Sequence, residues 1–149
     1  MSDALAKGFS GGCFCGAVTY RVTGAPRFAY HCHCTDCRRI NGTAFHTGIA
    51  VDRALFAITA GAPSPYATEA DSGHTITRWS CATCATQLWS ATTADETLVS
   101  VKAGSVTSVP HDAIRPTLQI FAQSRVPWAD VPDALITYAR GMRGETPIG

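Results

Sequence analysis

Seven cysteines fall into three tight clusters: Cys13-Phe14-Cys15, then Cys32-His33-Cys34-Thr35-Asp36-Cys37, then Cys81-Ala82-Thr83-Cys84. A C-x-C or C-x-x-C step brings two thiolates within reach of one tetrahedral ion, with zinc–sulfur bonds of about 2.3 Å. Two doublets and one triplet predict two metal centres, one with four sulfurs and one with three. A four-sulfur centre is closed, whereas a three-ligand centre keeps a position for water or substrate. The odd total is what one structural and one reactive site together produce. Joining Cys13 and Cys15 to Cys81 and Cys84 gives one complete centre and leaves Cys32, Cys34 and Cys37 as the open one. Spacing also permits the triplet to join one doublet, but doublet with doublet is preferred because it leaves no half-filled site.

Other chemistries fit these cysteines less well. A disulfide framework needs an oxidising compartment, and the opening MSDALAKGFSGG has no basic-then-apolar signal sequence. An odd number of thiols would also leave one unpaired in a monomer. A redox C-x-x-C motif does not explain the C-x-C steps, and inert buried cysteines do not usually cluster. Zinc is preferred over an iron–sulfur cluster, although four thiolates suit iron as well.

The elements that must hold these clusters are mainly strands. The chain has 149 residues, 46% of them hydrophobic and 15% charged, with a net charge of +1. That describes one globular domain over residues 1–149, expected to be cytoplasmic, without a basic footprint for nucleic acid or a membrane surface. No apolar run approaches the ~20 residues needed to span a bilayer. Ala17 to Val22 alternates as a half-buried strand, and Arg27 to His31 reads as a second strand. Thr23-Gly24-Ala25-Pro26 between them suits a hairpin turn. Further strands are predicted over Phe45 to Val51, Leu55 to Thr59, Thr75 to Ser80, Gln87 to Ala91, Leu98 to Lys102 and Thr117 to Gln123. Cys34 to Ile40 predicts one helical turn ended by Asn41-Gly42, and Gly61-Ala62-Pro63-Ser64-Pro65 a surface loop. Pro132 to Arg140, with proline near its start and Gly141 past its end, predicts a short C-terminal helix.

The joint pattern resembles the glutathione-dependent formaldehyde-activating enzyme family, which includes centromere protein V. The residues that carry it are Gly12-Cys13-Phe14-Cys15-Gly16, Cys32-His33-Cys34-Thr35-Asp36-Cys37-Arg38-Arg39, Cys81-Ala82-Thr83-Cys84, and a tail from Arg115-Pro116 to Pro127-Trp128. Together they span roughly residues 9–130, and the combination is more specific than any one piece. The resemblance implies an Mss4-like zinc-binding fold of small packed antiparallel sheets. It also implies structural zinc on Cys13, Cys15, Cys81 and Cys84 and catalytic zinc on Cys32, Cys34 and Cys37. Two positions depart from the family pattern: Ala85 stands where glycine usually follows the C-x-x-C, and Gln119 stands where histidine is common.

The activity implied is that of a carbon–sulfur lyase joining a glutathione-type thiol and formaldehyde to S-hydroxymethylglutathione or cleaving it, or acting on a related thiol adduct. Three thiolates on a divalent zinc leave a net negative centre, a weak activator of water and a suitable host for a substrate thiol. A metal deprotonates a coordinating thiol outright, and the thiolate is the nucleophile. Arg38 and Arg39 follow the triplet and are candidates to grip substrate carboxylates; the alternative is that they are solvated or pair with Asp36. His33, between two proposed ligands, is a candidate to replace a cysteine or donate a proton, but is expected to point away from the metal, because neighbouring side chains on extended backbone face opposite sides. His31 and His46 are candidate acid–base groups or structural histidines. A non-catalytic zinc module that binds a protein partner is the main alternative, ahead of a nucleic-acid binder.

Overall fold

Alternation over residues 18–22 works as the sequence predicts: Val18, Tyr20 and Val22 are buried and Arg21 is exposed. The structure, a computed structural model, describes residues 3–148. A short helix α1 (Asp3–Ala6) precedes strands β1 (Phe9–Gly12), β2 (Thr19–Val22) and β3 (Phe28–Cys32). Helix α2 (Thr35–Asn41) leads into β4 (His46–Asp52), β5 (Phe56–Ala60), β6 (Ser64–Glu69) and β7 (Thr75–Ser80). Then come β8 (Gln87–Thr92), β9 (Asp95–Lys102), β10 (Leu118–Ile120) and β11 (Ile136–Thr137). The protein is mainly β, as expected.

The strands form two sheets, a small one ordered β1-β2-β5 and a large one ordered β11-β10-β3-β4-β9-β8-β7-β6. Their facing sides make one core, in which Phe9, Tyr20 and Val22 of the small sheet join Ile49, Val51, Val101 and Trp89 of the large one. Aromatic rings bridge the two: Phe56 lies 4.8 Å from Trp89 and 5.7 Å from Tyr20, centroid to centroid. Offset and tilted ring pairs of this kind add about 0.5–1.5 kcal/mol each beyond the area they bury.

Four expectations are corrected. No C-terminal helix forms over Pro132 to Arg140; its backbone donors and acceptors are drawn into the edge of the large sheet. Ile136 N–H donates to Thr117 O at 3.1 Å, Tyr138 N–H to Gln119 O at 2.9 Å, and Arg140 O accepts from Phe121 N–H at 2.9 Å. Tertiary pairing of a β-branched Ile-Thr pair overrides a helix propensity that is weak over so few residues. Residues 23–26 do not close a hairpin, because β2 pairs with β1 and β5 while β3 pairs with β4 and β10. That stretch carries the chain from one sheet to the other. The large sheet is mixed rather than wholly antiparallel, since β10 runs parallel to both β3 and β11. Finally, Ser64 and Pro65 belong to β6, where a proline is tolerated because β6 is an edge strand.

Candidate metal and substrate site

The seven cysteines gather in space as four and three. Cys13 and Cys15 follow β1, Cys81 and Cys84 follow β7, and all four sulfurs lie within 4.8 Å of one another. Cys13 Sγ is 3.6 Å from Cys15 Sγ, and Cys15 Sγ is 3.7 Å from Cys81 Sγ. Four sulfurs around an ion with bonds of about 2.3 Å stand roughly 3.8 Å apart, so this spacing suits a tetrahedral metal. Donors beside Cys13 and Cys84 favour the thiolate form of those two. Val18 N–H donates to Cys13 Sγ at 3.2 Å, which lowers the Cys13 pKa. The Thr86 hydroxyl, 3.1 Å from Cys84 Sγ, and the Thr86 N–H bring Cys84 down to about 5.

Ala85, just past this cluster, adopts the left-handed conformation with φ of 64°, while its N–H donates to Cys81 O at 2.9 Å. A left-handed L-residue costs about 1–2 kcal/mol, part of which glycine gives back through its freer unfolded chain. Ala85→Gly is therefore expected to stabilise the protein by about 0.5–1 kcal/mol, read as a small rise in thermal midpoint. An unchanged or lower midpoint would count against strain at this turn.

The second cluster is built where β3 hands over to α2. Cys32 ends the strand, and Cys34 caps the helix with extended backbone, its Sγ accepting from Cys37 N–H at 3.2 Å. Gly42 closes the helix in the left-handed conformation that a C-cap glycine adopts. The sulfurs of Cys32, Cys34 and Cys37 lie within 4.8 Å of one another, and no fourth His, Cys, Asp or Glu among the described residues joins them. Hydrogen bonds from the Cys32 and Cys34 thiols pull Cys37 down to about 3, and the positive charges of Lys102 and Arg78 act in the same direction. Each cluster could hold a metal ion, and all-sulfur donor sets suit zinc.

Strand register explains how those cations reach the sulfurs. Partners across a sheet share a face, and residues alternate between faces along each strand. Tyr30 pairs with Gly48 and Gly48 with Lys102; Cys32 pairs with His46; Ser100 pairs with Ser90 and Ser90 with Arg78. The face opposite the core thus carries Tyr30, Cys32, His46, Ser100, Lys102 and Arg78. Tyr30 Oη is 2.7 Å from Ser100 Oγ, which lies 3.4 Å from His46 Nε2. Lys102 Nζ lies 3.2 Å from both His46 Nδ1 and Asn41 Oδ1. An ammonium only donates, so His46 Nδ1 accepts and its proton sits on Nε2. Burial, then the neighbouring Lys102 charge, brings His46 down to about 3 and keeps it neutral. Burial also draws Lys102 down to about 8.

Gly48 leaves the space this network occupies. A Cβ there would stand 2.5 Å from Ser100 Oγ, 2.6 Å from His46 Nε2 and 2.8 Å from the Tyr30 ring. Gly48→Ala is expected to cost about 1–3 kcal/mol, the usual penalty of overpacking. Its thermal midpoint should fall by several degrees, and a wild-type midpoint would refute the crowding.

Arg78 is buried, with a donor to Thr68 Oγ1 at 3.1 Å. The ion pairs among the described residues are Arg27–Asp52, Arg140–Glu145 and Arg143–Asp95; neither Arg78 nor Lys102 takes part in one. Two cations without carboxylates beside three sulfurs make the triplet's surroundings electropositive.

The other predicted residues separate clearly. Arg38 donates from Nη1 to Ser124 O at 3.0 Å, a tie between α2 and the turn after β10, and Arg39 is exposed. His33 is buried, and its Nε2 lies 2.8 Å from Gln119 Oε1, while Gln119 Nε2 donates to Thr137 Oγ1 at 2.9 Å. Gln119 thus clamps the histidine between two of the clustered cysteines, and leaves His33 Nδ1 without a hydrogen-bond partner. His31 Nδ1 is 2.9 Å from Thr47 Oγ1.

A cavity of about 750 Å³ opens beside the four-sulfur cluster, with Cys13 in its lining; Cys32, Cys34 and Cys37 do not line it. Gly12, Cys13, Phe14 and Thr86 line it on one side, and on another Asn41, at the end of the helix that carries Cys37, His46, the strand partner of Cys32, and Lys102. Lys102 had no signal in the sequence beyond ending an alternating strand. Only the register with Gly48 and the approach of Asn41 reveal it.

No helix of the described residues is long and apolar enough to cross a membrane. No curated protein matches the chain. The crystal structure of a Rhodobacter sphaeroides protein is similar, with a TM-score of 0.55 and 20% identity over 68% of this chain and 90% of that one. At that identity the likeness speaks for the fold alone. The model of one family, the glutathione-dependent formaldehyde-activating enzyme, matches residues 8–124. With most of its length matched and its cysteines gathered as that pattern implies, the chain belongs to the glutathione-dependent formaldehyde-activating enzyme family.

Proposed function

We propose that the protein is a zinc-dependent carbon–sulfur lyase that forms or cleaves the adduct of a glutathione-type thiol and formaldehyde. Cys13, Cys15, Cys81 and Cys84 would hold a structural zinc, and Cys32, Cys34 and Cys37 a second one with a coordination position to spare. When bound, zinc at the three sulfurs supplies a Lewis acid that keeps a substrate thiol ionised at neutral pH. A reducing compartment such as the cytoplasm suits seven unbridged cysteines.

The observation that carries this reading is the open three-sulfur cluster with two unpaired cations behind it. A thiolate arriving at three thiolates adds negative charge to a site already negative. Lys102 and Arg78 offset that charge, and their partial burial strengthens their field over its value in water. The substrate sulfur adds to the carbonyl carbon of formaldehyde: one carbon–sulfur bond forms, and the carbonyl oxygen takes the proton the thiol gave up. In reverse the hydroxymethyl oxygen loses that proton and the carbon–sulfur bond breaks.

Magnetic-resonance exchange measurements on mixtures of formaldehyde and glutathione test the reading directly. Zinc-loaded, reduced protein should speed exchange between free formaldehyde and S-hydroxymethylglutathione above the uncatalysed rate. Exchange at the uncatalysed rate, with no binding of glutathione by calorimetry, would refute the lyase and leave a non-catalytic zinc module.

A further inference from the structure

The Lys102 ammonium stands on the wall of the central cavity without a carboxylate partner among the described residues. Asn41 Oδ1 and His46 Nδ1 accept two of its three N–H donors. Both acceptors are neutral, so neither balances the charge. The third donor remains for whatever enters the cavity, whose volume falls within the roughly 300–1,000 Å³ of ordinary ligand sites. A half-buried cation with one open donor, in a cavity of ligand size, is a receptor for an anion.

The placement of this wall relates it to the sulfurs. Asn41 ends the helix that carries Cys37, and His46 is the cross-strand partner of Cys32. Lys102 is also near enough to the triplet for its charge to act on all three sulfurs, although none of them lines the cavity. An extended tripeptide spans about 10 Å. Such a molecule could rest one end on Lys102 and still bring a central thiol to the triplet. Arg38 spends one donor on Ser124 O, and neither Arg38 nor Arg39 lines the cavity.

We propose that Lys102, oriented by Asn41 and His46, is the carboxylate-binding subsite of the cavity and selects thiols that carry a free carboxylate. The proposal rests on the reading that the protein acts on a glutathione-type thiol. It assigns the specificity of that site to a lysine far in sequence from every cysteine cluster.

Calorimetric titration of zinc-loaded protein with glutathione and with its diethyl ester, in which both carboxylates are masked, tests the assignment. A hydrogen bond to a charged group is worth about 1.5–3 kcal/mol, so wild type should bind the free acid roughly tenfold to a hundredfold more tightly than the ester. Lys102→Gln should bind acid and ester alike, and Lys102→Arg should keep the preference. Should Lys102→Gln fail to fold, Asn41→Asp reads the same subsite, because a built-in carboxylate beside Nζ should abolish the preference. Equal affinities in wild type would overturn the subsite. So would a Lys102→Gln variant that weakens acid and ester by the same factor, which would mean that the lysine serves only the charge of the sulfurs. Binding of neither ligand by wild type would bring down the glutathione reading itself, and the subsite with it.

Discussion

Cys81→Ser is expected to release one zinc and to unfold the protein at or near room temperature. Cys81 is buried in the core cluster, and its sulfur lies 3.7 Å from that of Cys15, 66 residues away in sequence. An ion at this point ties the segment after β1 to the segment after β7. The free energy of binding structural zinc is folding free energy, about 10–16 kcal/mol in small zinc modules. The whole stability margin of a domain is about 5–15 kcal/mol. Losing one ligand of four should remove on the order of 5 kcal/mol or more, most of what there is to lose. Metal analysis paired with thermal unfolding reads both effects. A variant that keeps two zinc ions and a wild-type midpoint would dismiss the structural role of the four-sulfur cluster.

Cys34→Ser should do the opposite, abolishing activity while leaving the fold. Cys34 Sγ caps α2 by accepting from Cys37 N–H, and serine is itself among the best N-cap residues. The hydroxyl can take over the cap, so the helix and its junction with β3 should persist. The cluster keeps only two sulfurs. Outer partners of a metal ligand are worth 10–100-fold, so loss of a ligand should lower formaldehyde–glutathione exchange by at least roughly a hundredfold. The variant should retain one zinc and unfold at a temperature far closer to wild type than Cys81→Ser does. Equal destabilisation by the two changes would mean that the clusters do not divide into structural and reactive ones.

Much of this architecture is legible in the sequence because its signals are local. The period-two burial of Val18, Tyr20 and Val22 identifies β2, and the spacing of the cysteines gives two doublets and a triplet, while which of them join is settled only in space. Helix α2 is announced by the Asn41-Gly42 stop that follows it. What the sequence hides is non-local. Residues 132–140 carry helix-like punctuation, yet their hydrogen bonds go to residues 117–121, a partner no local window contains. Pro65 reads as a loop breaker until β6 is seen to be an edge strand, where its missing N–H matters little. Lys102 resembles any exposed strand-terminal lysine until Gly48 and Asn41 arrive beside it. Gln119, a departure from the family pattern, gains its meaning only from the buried His33 that it holds.

The parallel pairing of β10 with β3 bears on how the chain is made. Antiparallel β4 is synthesised directly after α2, so one flank of β3 is covered early. The other flank waits for β10, and the contact that seats His33 joins residues 86 apart. At a synthesis rate of roughly 5–20 residues per second, that interval lasts about 4–17 s. Until β10 arrives, the edge of β3 that ends at Cys32 lacks its parallel partner, and His33 lacks Gln119. Zinc captured by the triplet in that interval would shield the sulfurs from oxidation before the sheet closes. A metal held by the triplet would then serve the nascent chain before it serves the finished protein.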